Sequence, residues 1–446
     1  MANLKLYLLL GLFAFFLRML VIQGTDGIGR FLGKFDLHGY VESENHMMII
    51  GGMFPIHFRT IPEKEPTTSE PMSPKCFRWA RAMIHAIQEV NNRLDILPDI
   101  TLSYHIYDTC FTTSKTVEGT LAYLTGQNET MPNFRCSAGA PLVAIIGAVT
   151  IASSRIVGLD YFSEVGYASS CSVLSDKYQF PSLLHTVPND SHQSLAMAEL
   201  DRHFGWVWIG TIAGDDDYGK YGIKYFKQHV EKSGIFVEAI KESTANIIVV
   251  YSSDIDLSPL MEEIAHSNIT GKTWIASEAW VTSALIAKPE YFSFLCGTIG
   301  FGVRRGDIPG LKDFLLDVHP DNDASDDLTI EFWQTAFSCT WPNSRVPYNT
   351  DFRINVTGRE SGVHPVSDQL CTGKEKLEDI KNTYLDVSEF RITYNVYKAV
   401  FTVAHALNNL DTCVEGSGPF PKNSCAIIYD FEPWQVSIAF PYHNFT

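Results

Sequence analysis

Apolar and polar positions alternate in two distinct patterns along most of the chain. Between Phe77 and Asn91, Trp79, Met83, Ile87 and Val90 recur at three- and four-residue spacing, which predicts an amphipathic helix. The run Leu142–Ile146, closed by Gly147, is short, continuous and rich in β-branched residues, as expected of a strand buried in a parallel sheet. Asn189, Asp190 and Ser191 offer N-caps to a helix that turns Leu195, Met197, Ala198, Leu200 and Phe204 inward and stops at Gly205. A strand over Trp206–Ala213 follows, then a helix over Gly222–Ser233 with Ile223, Phe226 and Val230 on one face, ended by Gly234. Strand Ile247–Tyr251, helix Leu257–Ser267 and strand Trp274–Ser277 continue the alternation, and a late helix, Ile392–Leu410, reads as core packing. Repeated βαβ units predict an α/β protein with doubly wound parallel sheets.

Two segments interrupt this rhythm. Thr60–Pro74 is rich in Pro, Glu and Ser and predicts a surface loop, and Asp317–Asp327 is acidic and turn-forming, a solvated loop rather than a cation site. There is no internal repeat and no heptad pattern.

The first residues differ from the rest. Lys5 precedes the apolar run Tyr7–Leu17, which Arg18 interrupts before small and polar residues begin at Gly24. This predicts a secretory signal peptide over residues 1–24, since the run is too short for a bilayer span. Sequons at Asn128, Asn189, Asn268, Asn355 and Asn444 agree with a secretory route. Nine cysteines contain no CxxC pair, and no His cluster stands at zinc-finger spacing, so disulfides are expected before metal. An odd count leaves at least one thiol outside the intrachain pairs or bridged to another chain.

Composition narrows the function. A chain of 446 residues has room for two or three domains, and 45% apolar with 19% charged residues is ordinary globular usage. Lys and Arg total 34 against 51 Asp and Glu, a net charge of -17 that repels phosphate backbones and argues against nucleic acid as a partner. The sequence has no Gly-x-Ser-x-Gly elbow, HExxH or Walker loop, and Gly27-Ile-Gly29 has no strand before it. An enzyme is therefore not expected.

Binding chemistry is better represented. In open α/β sheets ligands sit beyond the carboxyl ends of the strands. There the sequence places Tyr167-Ala168-Ser169-Ser170, the run Gly214–Gly219 with Tyr218, Ser252-Ser253, and Ser277-Glu278. Hydroxyls and backbone N–H groups suit a carboxylate, while an acid and an aromatic face suit an ammonium, so a zwitterionic ligand follows.

The strings GGMFPIHF (51–58), FPSLLHTVPND (180–190), WVWIGTIAGDDDYG (206–219), NITGKTWIASEAW (268–280), GTIGFGVRRGDIPG (297–310) and YNVYKAVFTVAHAL (394–407) resemble, in order, the extracellular ligand-binding module of class C G-protein-coupled receptors. The likeness is greatest to the group of calcium-sensing, vomeronasal type 2 and fish olfactory receptors. It implies a bilobed, periplasmic-binding-protein-like flytrap. Lobe 1 would comprise 25–190 with a return segment 306–446, and an incomplete lobe 2 would span 191–305. Closure on an L-amino acid, alone or with calcium, would rearrange a homo- or heterodimer of class C receptors. Cysteine-rich and seven-helix domains lacking here would pass the signal to a G protein from the cell surface.

Carried over by position, Ser170 with Ser169 and the backbone of Ala168 would hold the ligand carboxylate. Tyr218 and Glu278 would meet the ammonium, with Ser253 nearby and Trp79 bordering the pocket. The resemblance further implies disulfides Cys76–Cys110, Cys339–Cys371 and Cys413–Cys425, an intersubunit bridge at Cys136, and glycans on Asn128, Asn268, Asn355 and Asn444. It assigns no metal ligands. The sequence departs from the family in a short loop after Gly147, in Cys76 running straight into Phe77-Arg78-Trp79, in a gap after Gly234 and in ending at Thr446. The alternative reading is a secreted, non-signalling amino-acid-binding protein or a non-functional truncated paralogue.

Overall fold

The computed structural model describes residues 40–42, 47–57, 72–125, 142–147, 150–159, 161–231, 236–239, 245–283, 285–322, 326–342, 370–380, 384–385 and 390–440. The signal segment, Gly27-Ile-Gly29, most of the Thr60–Pro74 loop, the loop after Gly147, Gly234, Cys136, Asn128, Asn355 and Asn444 lie outside them.

Two sheets organise the chain. The first orders its strands β1-β3-β2-β4-β5-β6: β1 (Val41–Glu42), β2 (Met48–Phe54), β3 (Leu102–Asp108), β4 (Leu142–Gly147), β5 (Glu164–Gly166) and β6 (Leu183–His185). Only β1 runs antiparallel to its neighbour. The second is wholly parallel, β11-β10-β9-β7-β8, built from β7 (Trp208–Ala213), β8 (Phe236–Ala239), β9 (Ile247–Tyr251), β10 (Thr273–Ala276) and β11 (Ile299–Gly300). Setting β1 aside, both sheets wind alike: the first strand has its successor on one side and the third strand on the other. Each sheet therefore reverses direction once, and the crevices open beyond β2 and β4 in one and beyond β7 and β9 in the other.

Helix α1 (Pro74–Asn91) begins three residues ahead of its predicted start, with Pro74 in the first turn and the Ser73 hydroxyl accepting from the Cys76 amide at 3.3 Å. It is buried nearly all round rather than on one stripe. The Thr60–Pro74 reading therefore gives way at its end, where Pro74 is already helical. Further helices α2 (Thr113–Thr125) and α3 (Ile151–Leu159) follow β3 and β4. Phe77 of α1 stacks on Phe332 at 4.7 Å within α9 (Asp327–Phe337), reached after the short helices α7 (Phe292–Leu295) and α8 (Leu311–Leu316). One core cluster joins Phe54, Phe77 and Ile146 to Val396, Val400 and Leu407 of α10 (Arg391–Asp411) and to Val436 of α11 (Pro433–Ala439). The acidic stretch 317–327 partly fulfils its reading as a loop, but its end caps α9, where Asp326 accepts from the Leu328 amide at 3.1 Å.

The second sheet is covered on both faces. Helix α6 (Asp254–His266) packs Leu257, Met261 and Ile264 against Ile248, Val250 and Trp274. On the other face α5 (Asp217–Glu231) brings Ile223, Phe226 and Val230 against Val249 and Tyr251, as their spacing predicted. Helix α4 (Asp190–Phe204) departs from expectation: Met197 and Ala198 are buried, but Leu195 and Phe204 are exposed. Its buried stripe runs Asp190, Ser194, Met197, Asp201, so the inward face is largely polar and the apolar residues do not mark it. Gly205 ends α4 at φ 67°, the left-handed stop expected of it. Strand β7 begins at Trp208, not Trp206, and Val207 and Trp208 are exposed.

Disulfides join Cys339 to Cys371 and Cys413 to Cys425. The expected Cys76–Cys110 bridge is not formed. With Cys76 directly before Phe77-Arg78-Trp79, its sulfur is carried into the first turn of α1, where burial pushes the thiol up to about 12. Cys110, at φ 44° beyond β3, instead turns its thiol back onto Asp108 Oδ2 at 3.4 Å. Cys171 and Cys296 are in no disulfide either. Asn268 is exposed just beyond α6. No helix among the described residues is long and apolar enough to cross a membrane.

Candidate functional site

Strand ends and helix starts of both sheets meet around one carboxylate. Glu278 follows β10 by two residues. Tyr218, in the first turn of α5, donates its hydroxyl to Glu278 Oε2 at 2.8 Å. The approach of α5 to β9 needs Gly222, because a Cβ there would lie 2.3 Å from the Tyr251 ring. That ring meets Tyr218 edge-on with centroids 5.8 Å apart, and its hydroxyl hydrogen-bonds Ser194 at 2.8 Å.

The first sheet contributes the segment after β5. Ala168 and Ser169 are half-buried and lead to buried Ser170, whose hydroxyl donates to Glu278 Oε1 at 3.3 Å. The carbonyl of Ser170 accepts from the Asp190 amide at 2.9 Å, where α4 begins. Gln193, one turn on, donates Nε2 to Glu278 Oε2 at 2.5 Å. A second link between the sheets joins α1 to α6: Lys75 Nζ lies 3.4 Å from Asp254 Oδ2, which also accepts from Ser283 at 2.7 Å. Lys75 sits over the Trp79 ring at 5.8 Å, and Trp79 meets Tyr167 edge-on at the same centroid distance.

Three of the sequence candidates, Ser170, Tyr218 and Glu278, are thus joined by hydrogen bonds. Ser253 has another task, capping α6: it accepts from the Asp256 amide at 3.1 Å and donates to Asp256 Oδ2 at 2.7 Å. Asp190 and Gln193 were not among the candidates. Asp190 passed for an N-cap, yet Asn189 caps α4, accepting from Ser191 at 2.7 Å. The available signal was an acid and an amide one turn apart directly after a strand end.

Electrostatics set the chemistry. Burial raises Glu278 above the usual carboxylate range, against the hydrogen bonds it accepts from Tyr218 and Ser170. Burial, then the nearby charge of Glu278, pushes Asp190 up to about 8. Tyr218 is raised well above its usual value by burial and by Glu278, so it stays protonated and donates. Among the described residues no basic side chain hydrogen-bonds either carboxylate. Asp190 Oδ2 and Gln193 Oε1 are buried with no hydrogen-bond partner among them. Two acids whose charges would repel share this site, Asp190 buried and Glu278 half-buried, so without a positive partner both favour the protonated form.

A pair of doubly wound sheets with an acidic polar cluster between them defines a ligand-binding α/β protein. The family described as "Receptor family ligand binding region" matches residues 78–439, and the chain belongs to that family. It is 42% identical over 442 residues to the extracellular calcium-sensing receptor of Sus scrofa, covering 90% of this chain and 41% of that receptor. Identity is 30% to human G-protein coupled receptor family C group 6 member A, over 87% of this chain and 44% of that protein. It is 26% to taste receptor type 1 member 2 of Canis lupus familiaris, over 89% and 48% respectively. The chain thus spans less than half the length of each. These relatives are receptors and not enzymes, in keeping with the class C resemblance and with the expectation that the chain carries no catalytic site.

Proposed function

We propose that the chain is the ligand-binding region of a cell-surface class C chemosensory receptor that closes on an L-amino acid. The observation that carries this reading is the acidic pair of buried Asp190 and half-buried Glu278 between the two sheets, with no basic partner among the described residues. The ammonium of the ligand would replace the protons there, with Tyr218 and Gln193 fixing Glu278. Its carboxylate would face the other side, toward Ser170 and the start of α3, where backbone N–H groups favour an anion. Ser170 would then exchange its bond to Glu278 for one to the ligand.

Calcium fits the same donors. Asp190, Glu278, the Ser170 and Tyr218 hydroxyls and Gln193 Oε1 are all oxygen ligands, the hard set that calcium takes. One relative is named for sensing calcium, which favours a cation acting alone or beside the amino acid. Dimer rearrangement, an intersubunit bridge at Cys136 and G-protein signalling through further segments belong to this proposal, as does the division into lobes at residues 190 and 305.

The test is thermal unfolding of the secreted chain with a panel of L-amino acids, with and without calcium. Stabilisation that disappears in both Ser170→Ala and Glu278→Ala supports the site. Stabilisation unchanged in both overturns it.

A further inference from the structure

Among the described residues, Lys75 and Asp254 form the one ion pair between residues packed on the first sheet and residues packed on the second. Both stand in the walls of the crevice that holds Glu278. On the first-sheet side Lys75 lies over the Trp79 ring, Trp79 meets Tyr167 edge-on, and Tyr167 stands three residues before Ser170, which bonds Glu278. On the second-sheet side Asp254 follows Ser252-Ser253 beyond β9 and accepts from Ser283, five residues after Glu278.

The two partners do not depend on each other equally. Asp254 lies in the first turn of α6, where the helix dipole favours an acid, and it keeps the Ser283 hydroxyl at 2.7 Å without Lys75. Lys75 lies in the first turn of α1, where the dipole disfavours a cation and no acidic residue is supplied. Its ammonium has three N–H donors, and Asp254 takes one of them at 3.4 Å. The Lys75 side chain is 38% exposed against 17% for that of Asp254, so the lysine is the half that can swing. This end of the crevice therefore lacks an anion, whereas Asp190 and Glu278 at the other end lack a cation.

We infer, resting on the amino-acid reading above, that the ligand is an L-amino acid with an acidic side chain and that Lys75 selects it. The α-ammonium meets Asp190 and Glu278, the side-chain methylenes lie along Trp79, and the distal carboxylate accepts from Lys75 Nζ. Asp254 keeps Ser283 and shares the ammonium. A neutral amide in place of the distal carboxylate forfeits the charge-assisted bond. A basic side chain brings a second cation to Lys75 and is repelled, so the lysine selects by repulsion as well as by attraction.

L-Glutamate, L-glutamine and L-lysine are the probes, each titrated by calorimetry into the intact secreted chain. Glutamate and glutamine have nearly the same shape, so the ratio of their affinities isolates the charge. The wild type should bind glutamate at least ~10-fold more tightly than glutamine, the worth of one charge-assisted hydrogen bond. Lys75→Met should bring the ratio close to one, Lys75→Arg should keep it, and Asp254→Asn, which leaves the ammonium to the ligand alone, should raise it. A lysine that served closure only would weaken both ligands alike and leave the ratio unchanged in Lys75→Met. A glutamate preference that survives Lys75→Met, or glutamine or lysine bound by the wild type as tightly as glutamate, overturns the inference. If Glu278→Ala abolishes that binding, the amino-acid site itself still stands. Binding of none of the three overturns the acidic class, and stabilisation by other L-amino acids then tells whether the site falls with it.

Discussion

The Ser170 hydroxyl reaches Glu278 Oε1 at 3.3 Å, and with that bond the segment after β5 of one sheet touches the segment after β10 of the other. The arrangement is a closed one, and Lys75 with Asp254 closes it a second time.

The Lys75–Asp254 pair should tune closure more than folding. Lys75 is partly exposed, so the pair contributes at most ~1 kcal/mol to global stability. Lys75→Ala should leave the unfolding midpoint nearly unchanged while lowering the fraction of closed molecules, read as a larger radius of gyration in solution scattering. An unchanged radius with a large loss of stability would refute this.

Acidity should strengthen the ligand-free protein across a defined window. Folded Asp190 sits at about 8 and Asp201 and Glu164 at about 7, each above its unfolded value, so the native state holds more protons than the unfolded chain. Burial opposes a charge on His57, but hydrogen bonds to Asp108 and Glu331 hold it up at about 10, with the same sign. Burial depresses His185 to about 4, which acts oppositely only below its usual 6.5. Stability should therefore fall as pH rises from about 6.5 to 8, by on the order of a few kcal/mol. Binding of an ammonium or calcium should tighten over the same interval. Urea midpoints at several pH values, with and without ligand, test both signs.

Replacing Gly222 by alanine should be costly. Its Cβ would meet the Tyr251 ring at 2.3 Å, against backbone-anchored neighbours, and overpacking of this kind costs ~1–3 kcal/mol. Tyr251→Phe, which keeps the ring and loses the hydrogen bond to Ser194, should cost about 1 kcal/mol. Denaturant unfolding of both variants checks this, and no loss of stability in Gly222→Ala would argue against crowding.

The two disulfides should differ in worth. Cys339–Cys371 closes a sequence separation of 32 and Cys413–Cys425 one of 12, so chain entropy favours the first by about 0.9 kcal/mol. Paired serine variants compared by denaturant unfolding measure the difference.

Legibility followed how each element is buried. Strand β9 and the apolar stripe of α5 stood out because they turn uniform apolar residues to the core. Strands β5, β6 and β8 are three or four residues long, too short to carry a period. Helix α4 misled because its inward face mixes the apolar Met197 and Ala198 with the polar Asp190, Ser194 and Asp201, while Leu195 and Phe204 face outward. The same polarity hid Asp190 and Gln193, whereas Glu278 and Tyr218 were found through their place at strand ends.

The return of α10 onto the first sheet governs the order in which the chain can be finished on the ribosome. Ile50 and Val400 share one core, and at ~5–20 residues per second roughly 20–70 s of synthesis separate them. Strands β7 to β11 emerge meanwhile as an uninterrupted stretch and can fold first. Until α10 arrives, the apolar faces of α1 and β4 are left without their cover, a waiting interval in which chaperones would find them.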